Sequence, residues 1–124
     1  MDALFWIYLV NLVFLLNHEV ESAYWKEWKL FGIPGGITVF LLLHFPVFFV
    51  FLLGLILLHQ QQFWGLVISG LLAASGIFAF SAHVFFIARG GREFRLPVSI
   101  FILCATLVLS TVQLILTARE FLTG

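Results

Sequence analysis

Three histidines lie in three different apolar segments of this sequence, at similar distances from the segment ends that border the basic connections. At about 1.5 Å per helical residue, His18, His44 and His83 are about 6, 10 and 8 Å deep in these segments. Ionisable side chains are costly inside a membrane, and they usually face the interior of a helix bundle or a cavity. The sequence therefore predicts that the three imidazoles converge on one site.

A carboxylate follows the first of these histidines at a spacing used in metal sites. Glu21 is three residues after His18, so the two side chains lie on neighbouring faces of one helix and can share a metal, or the carboxylate can orient the imidazole. Imidazole and carboxylate ligands suit zinc or iron, and zinc with an open position acidifies a bound water. We predict a metal site formed by His18, His44, His83 and Glu21, with Glu21 as the fourth ligand or the general base.

Other polar residues receive less central roles. Glu19 is rotated about 100° from its histidine neighbour, so we expect it at the edge of the site, paired with a headgroup or with Lys26. Cys104 lies in an apolar run and is expected to be a buried, inert thiol, or a fourth ligand only for a soft metal. His59 is expected at the membrane interface, and Gln113 is expected to link helices nearer the opposite face.

The composition places these residues in a membrane protein. Of 124 residues, 63% are hydrophobic and 10% are charged, whereas soluble domains are about 45 to 50% apolar. Six basic residues balance six acidic ones, so a nucleic-acid-binding surface is not expected. A single cysteine excludes an intrachain disulfide bond.

Four apolar segments are long enough, or nearly long enough, to cross a hydrocarbon core of about 30 Å. They predict one all-α domain over residues 1–124, an antiparallel bundle of four transmembrane helices near 3–22, 37–58, 63–88 and 97–118. The apolar run at 3–16 alone would reach only about 21 Å, at about 1.5 Å per residue. The first helix must therefore continue through residues 17–21 to complete its crossing.

The basic residues predict an orientation in the membrane. Short connections rich in Lys and Arg remain in the cytoplasm. Five basic residues lie in the first and third connections: Lys26, Lys29, Arg89, Arg92 and Arg95. The opposite face has only Arg119, near the C-terminus. We expect a protein of a bacterial inner membrane with both termini outside the cytoplasm.

The stretch His18-Glu19-Val20-Glu21-Ser22 resembles the motif of small bacterial integral membrane proteins named for the sequence HxxEE. Ser22 stands where that motif has its second glutamate. The resemblance, which extends to chain length and number of spans, implies a small bacterial membrane protein with a His/Glu site inside the membrane.

Three classes of function remain open at this point. A metal site could act on a lipid or isoprenoid that enters from the bilayer, and His18 with Glu21 could also do acid/base chemistry without a metal. His44 and His83 could instead be axial ligands of a haem, which is the less favoured cofactor. The polar residues could also lock helices together in a non-enzymatic lipid-binding protein or a membrane-complex subunit. The expected partners are membrane lipid and either a second copy or another membrane protein.

Overall fold

The computed structural model describes residues 2–90 and 96–124, and this part of the chain is all-α. Its helices are α1 (Asp2–Tyr24), α2 (Glu27–Leu30), α3 (Gly36–His59), α4 (Phe63–Ala88) and α5 (Pro97–Thr123). All except α2 are long and apolar enough to cross a membrane. The prediction of an all-α bundle of four spanning helices is confirmed, and the chain is a multi-pass membrane protein.

The ends of the long helices follow the sequence closely. α1 continues without a break through Asn17 and His18 to Tyr24, as its crossing requires. α5 begins with Pro97 in its first turn, where the missing N–H costs little, and it runs to Thr123, beyond the predicted end. The short α2 was not predicted. Arg92 and Arg95, used to predict orientation, lie outside the described residues.

The helices pack unevenly around the bundle. α4 packs most extensively against α5 and α3, and α1 packs mainly against α5. α1 and α3 contact each other more sparsely, and the one-turn helix α2 touches both. Of the adjacent pairs of long helices around the bundle, α1 and α3 therefore pack least tightly in the described part of the chain.

Apolar packing dominates the half of the bundle near the termini. One buried cluster joins α1, α3 and α4: Leu4, Tyr8, Leu12, Leu15, Phe51, Leu58, Leu66, Ile68 and Leu72. Between α4 and α5 the close approach depends on Gly76, because a Cβ there would collide with the Ser110 hydroxyl. Small residues allow membrane helices to approach in this way, so that packing replaces the missing hydrophobic force.

Buried polar side chains link three helices beside this core, at the same depth in the bundle. We call five residues the amide network: Asn11, Ser69, Ser110, Gln113 and Thr117. The Asn11 amide donates to Gln113 Oε1 at 2.8 Å and to Ser110 Oγ at 3.1 Å. The Gln113 amide donates to the carbonyl of Ser69 at 3.1 Å and to its hydroxyl at 3.0 Å. The expectation that Gln113 links helices is confirmed, since it joins α5 to α1 and α4.

Candidate functional site

Three side chains from three different helices meet at the α2 end of the bundle. His18 of α1, Glu27 of α2 and His83 of α4 each offer one ligand atom, and these atoms lie within 4.8 Å of one another. Both histidines are buried, with 2% and 1% of their surface exposed, and their rings meet edge to face at 4.6 Å between centroids. We call these three residues the His/Glu cluster.

The hydrogen bonds of His83 restrict where its protons can be. Its Nδ1 lies 2.6 Å from the Ala79 carbonyl, one turn earlier in α4, and a carbonyl can only accept. Nδ1 must therefore carry a proton and donate it. The other nitrogen, Nε2, lies 3.2 Å from Glu27 Oε1. If the ring is neutral, Nε2 has no proton, so Nε2 and the carboxylate oxygen of Glu27 are two acceptors that face each other. A proton or a cation between these two atoms would remove the repulsion.

Glu27 reaches the histidines because the chain turns sharply after α1. Lys26 adopts a left-handed conformation, with φ 56°, between the end of α1 and the start of α2. Burial alone would raise the pKa of Glu27, but its contacts with His83 and Ser22 outweigh that effect. The pKa of Glu27 is therefore below its ordinary value, and the side chain is an anion at neutral pH.

His44 belongs to a second His/Glu pair. Its Nε2 lies 2.6 Å from Glu19 Oε2, and its Nδ1 lies 2.6 Å from the Phe40 carbonyl. The Phe40 ring stacks on the imidazole at 4.0 Å between centroids. The side chain of His44 is thus held by α3 itself and by α1. Within the described residues, it is not a member of the cluster around His83.

Glu21 points toward a third neighbour. Its Oε2 accepts a hydrogen bond from the Ser99 hydroxyl of α5, and it lies 3.4 Å from the Trp25 ring nitrogen. Among the described residues it does not join the cluster, so the predicted set is brought together only in part. The structure places His18 and His83 side by side, and it places His44 and Glu21 at two other contacts.

Helical rotation explains this division. Each residue turns the direction of a side chain by about 100°, so Glu19 and Glu21 point to opposite sides of His18. His18 faces α4, Glu19 faces α3 and Glu21 faces α5. The expectation that Glu19 pairs with a headgroup or with Lys26 is wrong, because its partner is His44. Among the described residues Glu19 is not a member of the cluster, as its expected place at the edge of the site requires.

The remaining residues with predicted roles lie away from the cluster. Cys104 is exposed on α5, and the expectation of a buried thiol is wrong because the neighbouring Leu103 occupies the buried face. His59 ends α3 at the opposite end of the bundle, where its ring contacts Phe5 at 5.3 Å between centroids. Sequence reasoning missed Glu27 because it lies outside the apolar segments. It is also on a different helix from His18, so no helical spacing relates the two residues.

Several cavities in the described part of the chain border the His/Glu pairs, and two of them are lined by both Glu19 and Glu27. One of about 190 Å³ is lined by His18, Glu19 and Glu27, with mainly apolar side chains beyond them. Another of about 160 Å³ is lined by Glu19, Glu27 and His44, with aromatic side chains around them. Phe31, in the connection between α2 and α3, lines both. The polar groups therefore face space that a small ligand could occupy.

Comparison with known proteins gives a family but no activity. No curated protein and no solved structure matches the chain significantly. The resemblance to the HxxEE proteins is not confirmed. One family model matches residues 4–120, which include all three members of the cluster. The chain therefore belongs to DUF6713, a family of unknown function.

Proposed function

We propose that this protein binds a divalent transition metal through His18, His83 and Glu27, and that it acts on a lipid or isoprenoid that reaches the metal from the bilayer. The observation that carries the proposal is the convergence of three ligand atoms within 4.8 Å, from three separate helices. Two imidazoles and one carboxylate are a common ligand set for zinc and for iron.

The contact between His83 and Glu27 fits a shared metal. Two ligands at about 2.0 to 2.1 Å from a tetrahedral zinc are themselves about 3.3 Å apart. The observed separation of Nε2 and Oε1 is 3.2 Å. The Ala79 carbonyl holds the proton on Nδ1 of His83, so Nε2 presents its lone pair as a metal ligand requires.

Three protein ligands leave a coordination position open. Such a metal can polarise a substrate oxygen or acidify a water, which is the chemistry it would supply here. The cavity of about 190 Å³ borders His18 and Glu27 and offers space for that substrate. Most of its lining is apolar, as a lipid or isoprenoid requires. Zinc and iron both suit these ligands.

Metal analysis of purified variants tests the proposal. Protein expressed with zinc and iron supplied should contain about one metal ion per chain, as three-ligand sites do. His18→Ala, His83→Ala and Glu27→Gln should each lower the metal content at least about tenfold, since each removes a ligand. His44→Ala and Glu21→Gln are matched controls of the same residue types, and they should retain the metal.

Two results would contradict this ligand set. Metal-free wild-type protein from a metal-replete culture would favour a metal-free lock, in which a protonated His83 simply pairs with Glu27. Loss of metal in His44→Ala or Glu21→Gln would instead favour the ligand set predicted from the sequence alone.

The haem alternative has less geometric support. His44 and His83 each face a different carboxylate, and the rings of His18 and His83 are only 4.6 Å apart between centroids. A haem lies between its two axial imidazoles, so it does not fit between His18 and His83, whose rings are in edge-to-face contact. A visible spectrum of protein expressed with haem available tests this alternative, because bis-histidine haem would give a strong Soret band.

A further inference from the structure

A groove between α3 and α4 begins at the His/Glu cluster. The cavity beside the cluster and a second cavity of about 340 Å³ share three residues of their lining: Val47, Phe51 and Ser75. The second cavity continues to Val50 and Leu71. The two cavities therefore follow one another along the same pair of helices.

The spacing of α3 and α4 explains where the groove lies. Near the turn that joins them, glycines bring the helices so close that a Cβ at Gly54 or Gly65 would overlap the opposite helix. Farther from that turn, at Val47 and Ser75, the gap holds the groove. It is thus open toward the end that carries the cluster.

The wall of the groove is apolar along its length. Its one hydroxyl belongs to Ser75, which donates to the Leu71 carbonyl at 2.8 Å within α4. That hydrogen bond uses the serine proton, so the groove offers a ligand little to bind except hydrocarbon contacts. Its polar groups, His18, Glu19 and Glu27, are all at one end. This arrangement complements a molecule with one polar end and one apolar chain.

The distance from the cluster to the far end of the groove matches one leaflet of a membrane. On α4 the lining runs from Leu71 to Ala79, which is 8 residues of helix or about 12 Å at about 1.5 Å per residue, and His83 of the cluster lies one turn beyond it. A hydrocarbon core of about 30 Å contains two leaflets, so a lipid chain spans about 15 Å of it. A single chain whose polar end lies at the cluster would therefore fill the groove.

We propose that the groove binds a single-chain amphiphile of the fatty-acid type, with its oxygen-bearing end at the His/Glu cluster and its chain between α3 and α4. This inference rests on the proposed function, since it specifies the class of lipid that reaches the metal. The apolar chain positions the polar end, and the metal held by the His/Glu cluster attracts the carboxylate, which Glu19 and Glu27 alone would repel.

Photolabelling with a fatty acid that carries a diazirine near its terminal methyl group tests this assignment. In purified protein, we expect labelling of peptides around Val47 and Leu71 that excess unlabelled fatty acid removes. Ser75→Phe should lower this competable labelling about tenfold, a loss of about 1.4 kcal/mol in binding. Ser81→Phe is the matched control, because Ser81 is exposed on the same helix and bonds its own backbone in the same way. It should label like wild type.

Metal content, measured on the same samples, separates the two proposals. Metal-loaded protein without competable labelling would overturn the groove and leave the metal site standing. Metal-free protein with competable labelling that Ser75→Phe removes would support the groove as the site of the apolar chain, and it would contradict the metal as the group that holds the polar end. Equal labelling of Ser75→Phe and Ser81→Phe, or equally strong competition by a two-chain phospholipid, would overturn the groove proposal. Val47→Phe blocks the groove from α3, and it should reproduce the loss if Ser75→Phe does not fold.

Discussion

The amide network and the His/Glu cluster are both buried, polar and built from three helices. They differ in the partners and surroundings of their polar atoms. In the amide network the side chains bond mostly to one another, between α1, α4 and α5. In the cluster the side chains are ionisable, come from α1, α2 and α4, and border a cavity. A buried polar group in a membrane is therefore a weak sign of function until its partners are known.

Packing separates the two regions as well. α5 packs closely against α4 and α1, and the amide network lies where these three helices meet. The cavities lie beside α3, whose contact with α1 is sparse. Stability should therefore depend mainly on the first region, and ligand binding mainly on the second.

The largest loss of stability is expected at the centre of the amide network. Gln113→Ala removes the hydrogen bonds to Asn11 and Ser69 and leaves a cavity, so the free energy of unfolding should fall by about 3 kcal/mol. Metal content should not change. Reversible unfolding in mixed micelles measures the effect. Thr111→Ala is the control, because its hydroxyl donates to the Leu107 carbonyl within α5 and its side chain is exposed; an equal loss there would contradict the comparison.

A glycine beside the network tests the packing of α4 against α5. Gly76→Ala should lower the free energy of unfolding by about 2 kcal/mol, because the new methyl group collides with Ser110. Gly70→Ala has open space around its Cβ and should be neutral or stabilising by up to about 1 kcal/mol. The same unfolding assay compares the two. Similar values for both would mean that the close approach of these helices contributes little.

Acid should affect the cluster and spare the network. The pKa of Glu27 in the folded protein is below its ordinary value of 4.5, so its ionised form stabilises the fold above that pH. This contribution is lost as the pH falls below 4.5 and through the lowered pKa. In metal-free protein, the stability advantage of wild type over Glu27→Gln should be present at pH 7 and shrink toward pH 3. Gln113→Ala should keep a constant difference from wild type, and a constant difference for Glu27→Gln would contradict the assignment.

The smallest effect is expected where Glu21 contacts α5. Ser99→Ala removes one hydrogen bond to the carboxylate, so the free energy of unfolding should fall by about 0.6 kcal/mol. Metal content should stay at the wild-type level. The same measurements on Ser81→Ala give the background for an exposed serine. A loss of metal in Ser99→Ala would show that Glu21 supports the metal after all.

The sequence contains most of the fold because apolar length alone identifies spanning helices. The predicted ends of the four long helices agree with the structure to within about five residues, including the extension of α1 through Asn17 and His18. The depths of His18 and His83 along their helices also predicted that the two residues lie in one layer, and their rings are in contact in the structure. These predictions need only the rise per residue and the thickness of a membrane.

Rotation and connection geometry were harder to predict. Depth does not say which neighbour a side chain faces, so His44 was grouped with histidines that it does not join. Glu27 enters the cluster through a left-handed turn at Lys26, which no periodic pattern reveals. An acidic residue in a short connection next to a buried histidine is the signal that would have identified it.

The short helix α2 also bears on how the site is completed. His18 and His83 lie on two spanning helices, whereas Glu27 lies on the short helix in the connection between α1 and α3. A short connection between two spanning helices belongs at the membrane surface, so Glu27 is the member of the His/Glu cluster nearest to water. For the metal proposed above, one ligand would therefore come from the aqueous side, while an apolar substrate would reach the same cluster through the lipid.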